Sequence, residues 1–189
     1  NLLLDRCPHT RSWLQSPWSA TMPTPIDALE VLLELESVAA DGQCQVMWPQ
    51  GKALRLAGQV GSSNLQVRIK KDHDWFAASG TLQVAPDHSL DMMKLIDLAT
   101  ANPGRFVQLD DGRFLALTEQ LRRQIDEFSG FGDRRKAGAM RFPAAHAGMF
   151  ENLADVKIKS DTHWQSMLER MRAAQQLETP TPAGFLAEL

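Results

Sequence analysis

Cys7-Pro8-His9 sets a thiol and an imidazole two residues apart, the kind of pair from which zinc sites are built. Zinc asks for four ligands at recurring short spacings. Cys44 and the other histidines are scattered along the chain, which argues against a metal. His73 stands between Asp72 and Asp74, an arrangement that would suit a general base oriented by a carboxylate. Neighbours in extended chain point to opposite faces, so at most one carboxylate reaches the ring, and a surface turn is the simpler reading. Gly51-Lys52 is the one Gly-Lys pair. A phosphate-binding loop would need glycine where Val46 stands and a hydroxyl residue after Lys52, and it has neither. Gly61-Ser62-Ser63-Asn64 comes nearest to a nucleophile elbow but lacks its second glycine. Asp110-Asp111 precedes Gly112 and suits a turn better than an acid pair. His146 and His163 are single histidines on expected helices. The chain therefore predicts no catalytic residue, no cofactor-binding residue and no metal ligand.

Positive charge is the remaining functional feature. Arg134, Arg135, Lys136 and Arg141 occupy a glycine-rich stretch, GFGDRRKAGAMRF, that reads as a mobile loop. Arg122-Arg123 lies on the helix before it, Lys70-Lys71 ends one strand, and Lys157 alternates with Lys159 on another. Such cations meet phosphodiester backbones, because each contact releases condensed counterions. A solubilising surface accounts for the same residues. Of the two uses, nucleic-acid contact by Arg134, Arg135, Lys136 and Arg141 is the functional one.

The 189 residues, 43% hydrophobic and 23% charged, are ordinarily globular and long enough to bury a core. A net charge of −3 excludes a uniformly basic surface but allows a local basic patch. Two cysteines, Cys7 and Cys44, read as free thiols of a reducing, cytoplasmic compartment. No apolar run approaches the roughly 20 residues needed to span a bilayer, and NLLLDRCPH is too short and too soon charged for a secretory signal. A first residue of Asn rather than Met leads us to expect a chain that begins within a longer protein.

The elements that would carry these residues follow from periodicity. Residues 1–22, with Trp13 and Trp18, form a lead-in expected to pack its tryptophans on the domain. Thr24 caps a helix whose Ala28, Leu32, Leu35 and Ala39 share a stripe widened by Val31 and Val38, leaving Glu30, Glu34 and Glu36 on a solvated face. QVMW, KALRLAGQV, NLQVRIK and WFAASGTLQV predict three or four antiparallel strands. In the third, Leu65, Val67 and Ile69 face the core while Gln66, Arg68 and Lys70 are wet. A helix capped by Asp87 or Ser89 should bury Met92, Leu95, Ile96 and Ala99 and end at Asn102-Pro103-Gly104. RFVQLDDGRFLAL predicts a hairpin turning at Asp111-Gly112. Thr118 then caps a helix with a Leu121, Ile125, Phe128 stripe and a Glu119–Arg123 pair. A short helix from Pro143, an extended VKIK, and a last helix capped by Ser160 or Asp161 complete the pattern, and TPTPAG is a linker. In that last helix Trp164, Met167, Leu168 and Met171 should share a face. The fold expected is α+β, an antiparallel sheet of several short strands packed against helices, with a C-terminal helix and linker. We divide it into a lead-in over 1–22, an α+β domain over 23–160 and the helix and linker over 161–189.

The order of these elements resembles the segment preceding the motor in bacterial Swi/Snf-related ATPases of helicase superfamily two. There a Trp-Phe pair opens a strand, a helix follows, and a Phe-Val-x-Leu-x-x-Gly hairpin leads to another helix. Trp75-Phe76 and Phe106 to Gly112 occupy those places. Pro182, Gly184 and Leu189 match the Pro-x-Gly-x-x-x-x-Leu stretch that runs into the first motor lobe. The resemblance covers roughly residues 73–189 and implies a bacterial DNA-translocating helicase-like hydrolase that uses ATP and Mg²⁺. None of its catalytic residues falls within this chain, and the adenine-side Tyr-Gln segment is missing. On this resemblance the chain is an accessory module that positions the motor or contacts double-stranded DNA. The alternative is a regulatory protein-interaction domain without nucleic-acid affinity. A motor downstream in the same chain would be its first partner.

Overall fold

A computed structural model of the chain describes residues 5–16, 19–42, 45–47, 54–131, 138–151, 153 and 155–176. The expected α+β architecture is present, with antiparallel-rich sheets packed against helices. Helix α1 (Pro8–Trp13) and a small hairpin, β1 (Leu14–Ser16) and β2 (Ser19–Ala20), precede α2 (Pro25–Ala40). Thr24 caps α2 through a reciprocal pair: Asp27 N–H donates to Thr24 Oγ1 at 3.2 Å, and Thr24 N–H donates to Asp27 Oδ2 at 3.1 Å. The buried residues of α2 are Leu29, Val31, Leu32 and Val38, while Leu35 and Ala28 are half-buried, so the stripe is rotated from the expected one. Contact with a sheet on one flank and α1 on the other sets that rotation.

Two larger sheets follow. The first joins β10 (Lys157–Ser160), β4 (Leu65–Asp72), β5 (Trp75–Ala85) and β6 (His88–Asp91) in that order, with β9 (Met140–Phe142) also paired to β5. Strand β5 is long enough to hold two partners on one edge: β9 pairs with Phe76–Ala78 and β6 with its far end. The second sheet has the order β3 (Leu56–Val60), β8 (Phe114–Leu117), β7 (Phe106–Gln108). Two pairings, β10 with β4 and β3 with β8, are parallel, so β3 leaves the antiparallel set in which the sequence places it. Residues 45–47 of the QVMW stretch form no strand.

The core lies between these sheets and the helices. Leu65, Val67 and Ile69 are almost wholly buried, as their alternation requires. They pack with Met92, Leu95, Ile96 and Ala99 of α3 (Met92–Ala101) and with Leu121, Ile125 and Phe128 of α4 (Glu119–Phe131). Helix α3 starts later than expected. His88–Asp91 is a strand, and Asp91 rather than Asp87 or Ser89 caps the helix, its Oδ1 accepting N–H of Met93 and Lys94. Thr118 Oγ1 accepts Leu121 N–H at the start of α4. A 3₁₀ turn (Ala144–His146) and α5 (Gly148–Glu151) lead to β10 and to α6 (Thr162–Gln176), which buries Trp164 and Met167 and half-buries Leu168 and Met171. An aromatic cluster joins them: Trp164 meets Phe76 edge-on at 5.0 Å between ring centres, and Phe142 stacks on Phe150 at 4.6 Å. A smaller cluster of Leu29, Leu32, Phe106 and Ala116 covers the other side of the three-stranded sheet with α2.

Candidate nucleic-acid interface

Strand alternation decides what the first sheet shows to solvent. Its buried side takes Leu65, Val67 and Ile69 from β4 and Phe76, Ala78 and Leu82 from β5, so Gln66, Arg68, Lys70 and Trp75, Ala77, Ser79, Thr81 take the other side. Register then aligns them in rows. Lys157, Gln66, Thr81 and Asp91 form one row across four strands. Lys159, Arg68 and Ser79 form the next, and Lys70, Ala77 and Arg141 the third. Asp72 opposite Trp75 closes the face.

The centre of this face is low because Ala77, Ser79 and Thr81 are small. A depression of about 230 Å³ lies among Gln66, Arg68, Ser79, Thr81, Asp91 and Lys159. Arg68, Lys70, Lys157 and Lys159 are exposed and make no ion pair among the described residues. The two acids are occupied: Asp91 caps α3, and Asp72 faces Arg141 Nε at 2.8 Å and accepts from His73. The face is thus net positive on a chain that is net negative overall.

At one end the face meets a cleft of about 450 Å³ between the β4–β5 turn and α6, with Lys71, His73, Trp75, His163, Met167 and Arg170 among its walls. Asp161 fixes this junction. Its Oδ2 accepts Lys71 N–H at 2.7 Å and its Oδ1 accepts Trp164 N–H at 2.9 Å. Burial opposes the Asp161 charge, but these N–H donors outweigh it and hold the carboxyl pKa below its ordinary value. The Arg141 guanidinium sits over the Trp75 ring, 5.6 Å from its centre.

The expected site residues fare differently. Arg134, Arg135 and Lys136 lie outside the described residues, in sequence directly before β9. Arg141 sits on β9 rather than in a loop, ion-paired to Asp72. Arg122 is not a surface contact: its Nη1 donates to the carbonyls of Ala99, Asn102 and Gly104, tying down the end of α3, and the guanidinium also pairs with Asp126. Glu30 and Glu34 are not simply solvated either, pairing with Arg105 and holding the start of α1. Trp75 carries no chemistry in the sequence reading. Its signal is its outward parity in β5 opposite Asp72, which needs the β4–β5 register to be seen.

His73 lies in the expected turn, 88% exposed, with Nδ1 3.0 Å from Asp72 Oδ1. Ser62 is buried and donates to Gln124 Oε1 at 2.7 Å, a structural bond. Cys7 is buried. Among the described residues no three His, Cys, Asp or Glu side chains gather as metal ligands would, and no helix is long and apolar enough to cross a membrane. Compared with protein-family models, curated proteins and solved structures, the chain matches none of them.

Proposed function

We propose that the chain is a non-catalytic accessory module that contacts nucleic acid and acts beside a Swi/Snf-like motor in the same protein. One observation carries this reading: four cations without an ion pair among the described residues, Arg68, Lys70, Lys157 and Lys159, share one open sheet face whose acids are already engaged. Phosphates are the ligand such a face attracts, since neutralising them releases counterions. The strand at Trp75-Phe76, the helix α3, the β7–β8 hairpin and the helix α4 occur in the order that the motor-proximal segment would have. The DNA-stimulated ATPase activity, with ATP and Mg²⁺, belongs in this proposal to the motor and not to the module. Arg134, Arg135 and Lys136, in sequence beside β9, would extend the contact.

Binding of labelled single-stranded and duplex DNA, titrated with salt, tests the reading. Affinity should fall steeply and linearly in log salt, by roughly 0.7 to 0.9 of slope per phosphate neutralised. No binding to either form at low salt would sink it in favour of a protein-docking domain.

A further inference from the structure

The shape of the open face bears on which form of nucleic acid would fit it. Duplex grooves are entered by a protruding helix or ribbon, and this face is built of strands alone, with small residues at its centre. Apart from Arg141, which is paired to Asp72, its cations lie on β4 and β10 at one side, leaving Ala77, Ser79 and Thr81 as a level floor. Among the described residues the large apolar side chains left exposed are Ile26, Met47, Leu54 and Trp75, of which Trp75 alone is aromatic, 40% exposed. It stands at the end of that floor and in the wall of the 450 Å³ cleft, with the Arg141 guanidinium against its ring. An exposed indole beside a row of cations suits a base that is free to stack, and only unpaired bases are free.

We propose that the ligand of this face is a single strand with unpaired bases. Its phosphates lie along Lys157, Lys159, Arg68 and Lys70, and one base stacks on Trp75 at the mouth of the cleft. This rests on the nucleic-acid reading above and narrows it.

The experiment is fluorescence anisotropy on the full chain with a labelled oligothymidylate and a labelled duplex of equal length at matched salt. It compares the parent chain with Trp75→Leu, Trp75→Phe and the double variant Lys157→Gln/Lys159→Gln, each first checked for an unchanged melting temperature. The single strand should bind more tightly than the duplex. Trp75→Leu should weaken single-strand binding about five-fold or more, the low end of one base stacked on an aromatic ring, while Trp75→Phe weakens it less. The lysine variant should flatten the salt dependence and leave the effect of Trp75→Leu in place. If the duplex binds as tightly as the single strand, or Trp75→Leu and Trp75→Phe behave alike, the narrowing is overturned while the wider reading stands. If neither nucleic acid binds, both are overturned. Displacement of the strand by polyglutamate at equal charge would also overturn the proposal, since it would point to an acidic protein as the ligand.

Discussion

Glu34 on α2 caps a helix to which it does not belong: its Oε2 accepts both the backbone N–H and the hydroxyl of Thr10, each at 2.9 Å. Its Oε1 accepts from His9 N–H at 2.8 Å. Burial opposes the charge on Glu34, but these donors outweigh it, and its pKa falls below the ordinary glutamate value. A carboxyl with a lowered folded-state pKa stabilises fully above its unfolded value and loses that contribution as pH falls through the folded one. Glu34→Gln should therefore lower stability at neutral pH by about 0.5–2 kcal/mol, the usual worth of a cap. The gap between the two chains should narrow in acid. Urea midpoints measured at neutral pH and below the carboxylate range check this, and an equal gap at both refutes it.

Two glycines should respond to alanine with opposite signs. A Cβ on Gly80 would lie 2.4 Å from the Gln66 carbonyl oxygen and 3.2 Å from Met92 Sδ, so the β4–β5 ladder would have to open. Gly80→Ala should destabilise by about 1–3 kcal/mol, as overpacking does. Gly130, in α4, has nothing within 4 Å of such an atom among the described residues. There alanine gains helix propensity, up to about 1 kcal/mol, and should stabilise. Thermal melts of the two variants decide the matter, and a stabilised Gly80→Ala would contradict the close approach.

Ser62 and Gln124 form a buried hydrogen bond at 2.7 Å between the turn before β4 and α4. Ser62→Ala removes that donor from a buried acceptor, which typically costs about 1–3 kcal/mol. Gln124→Leu removes the acceptor instead. If the bond is what links them, the double variant should be less damaged than the sum of the two singles. A double-mutant cycle from chemical unfolding measures this, and strict additivity would show that the two side chains act apart.

The sequence made local features legible and left the non-local ones hidden. Thr24 and Thr118 as caps, the left-handed Gly112 after Asp111, and the buried alternation of Leu65, Val67 and Ile69 all depend on residues a few positions apart. The parallel pairing of β3 with β8 depends on residues more than fifty positions apart, and no short-range pattern encodes it. The candidate face was half visible: alternation placed Arg68 and Lys70 outward, and Lys157 and Lys159 likewise. What sequence could not supply was the β10–β4 register that sets Lys159 beside Arg68, or the Asp72 that engages Arg141. Arg122 misled because its three carbonyl partners lie at the end of α3 and in the loop after it.

Arg122 and Arg68 therefore set a structural arginine against one proposed to contact the ligand. The Arg122 Nη1 reaches Ala99 and Asn102 carbonyls at 2.9 Å and the Gly104 carbonyl at 2.7 Å. Hydrogen bonds from a charged donor contribute about 1.5–3 kcal/mol, and the amine of lysine cannot reproduce the planar geometry. Arg122→Lys should lower the unfolding midpoint, and Arg122→Gln should lower it further. At a temperature where these variants remain folded, the salt dependence of single-strand binding should match that of the parent chain. Arg68, exposed between Lys159 and Ser79, predicts the reverse. Arg68→Gln should leave the unfolding midpoint within about 0.5 kcal/mol, as surface changes do, and reduce the salt slope by roughly 0.7, one phosphate contact on a single strand. Equal loss of slope in Arg122→Gln and Arg68→Gln would mean that the strand does not follow the sheet face.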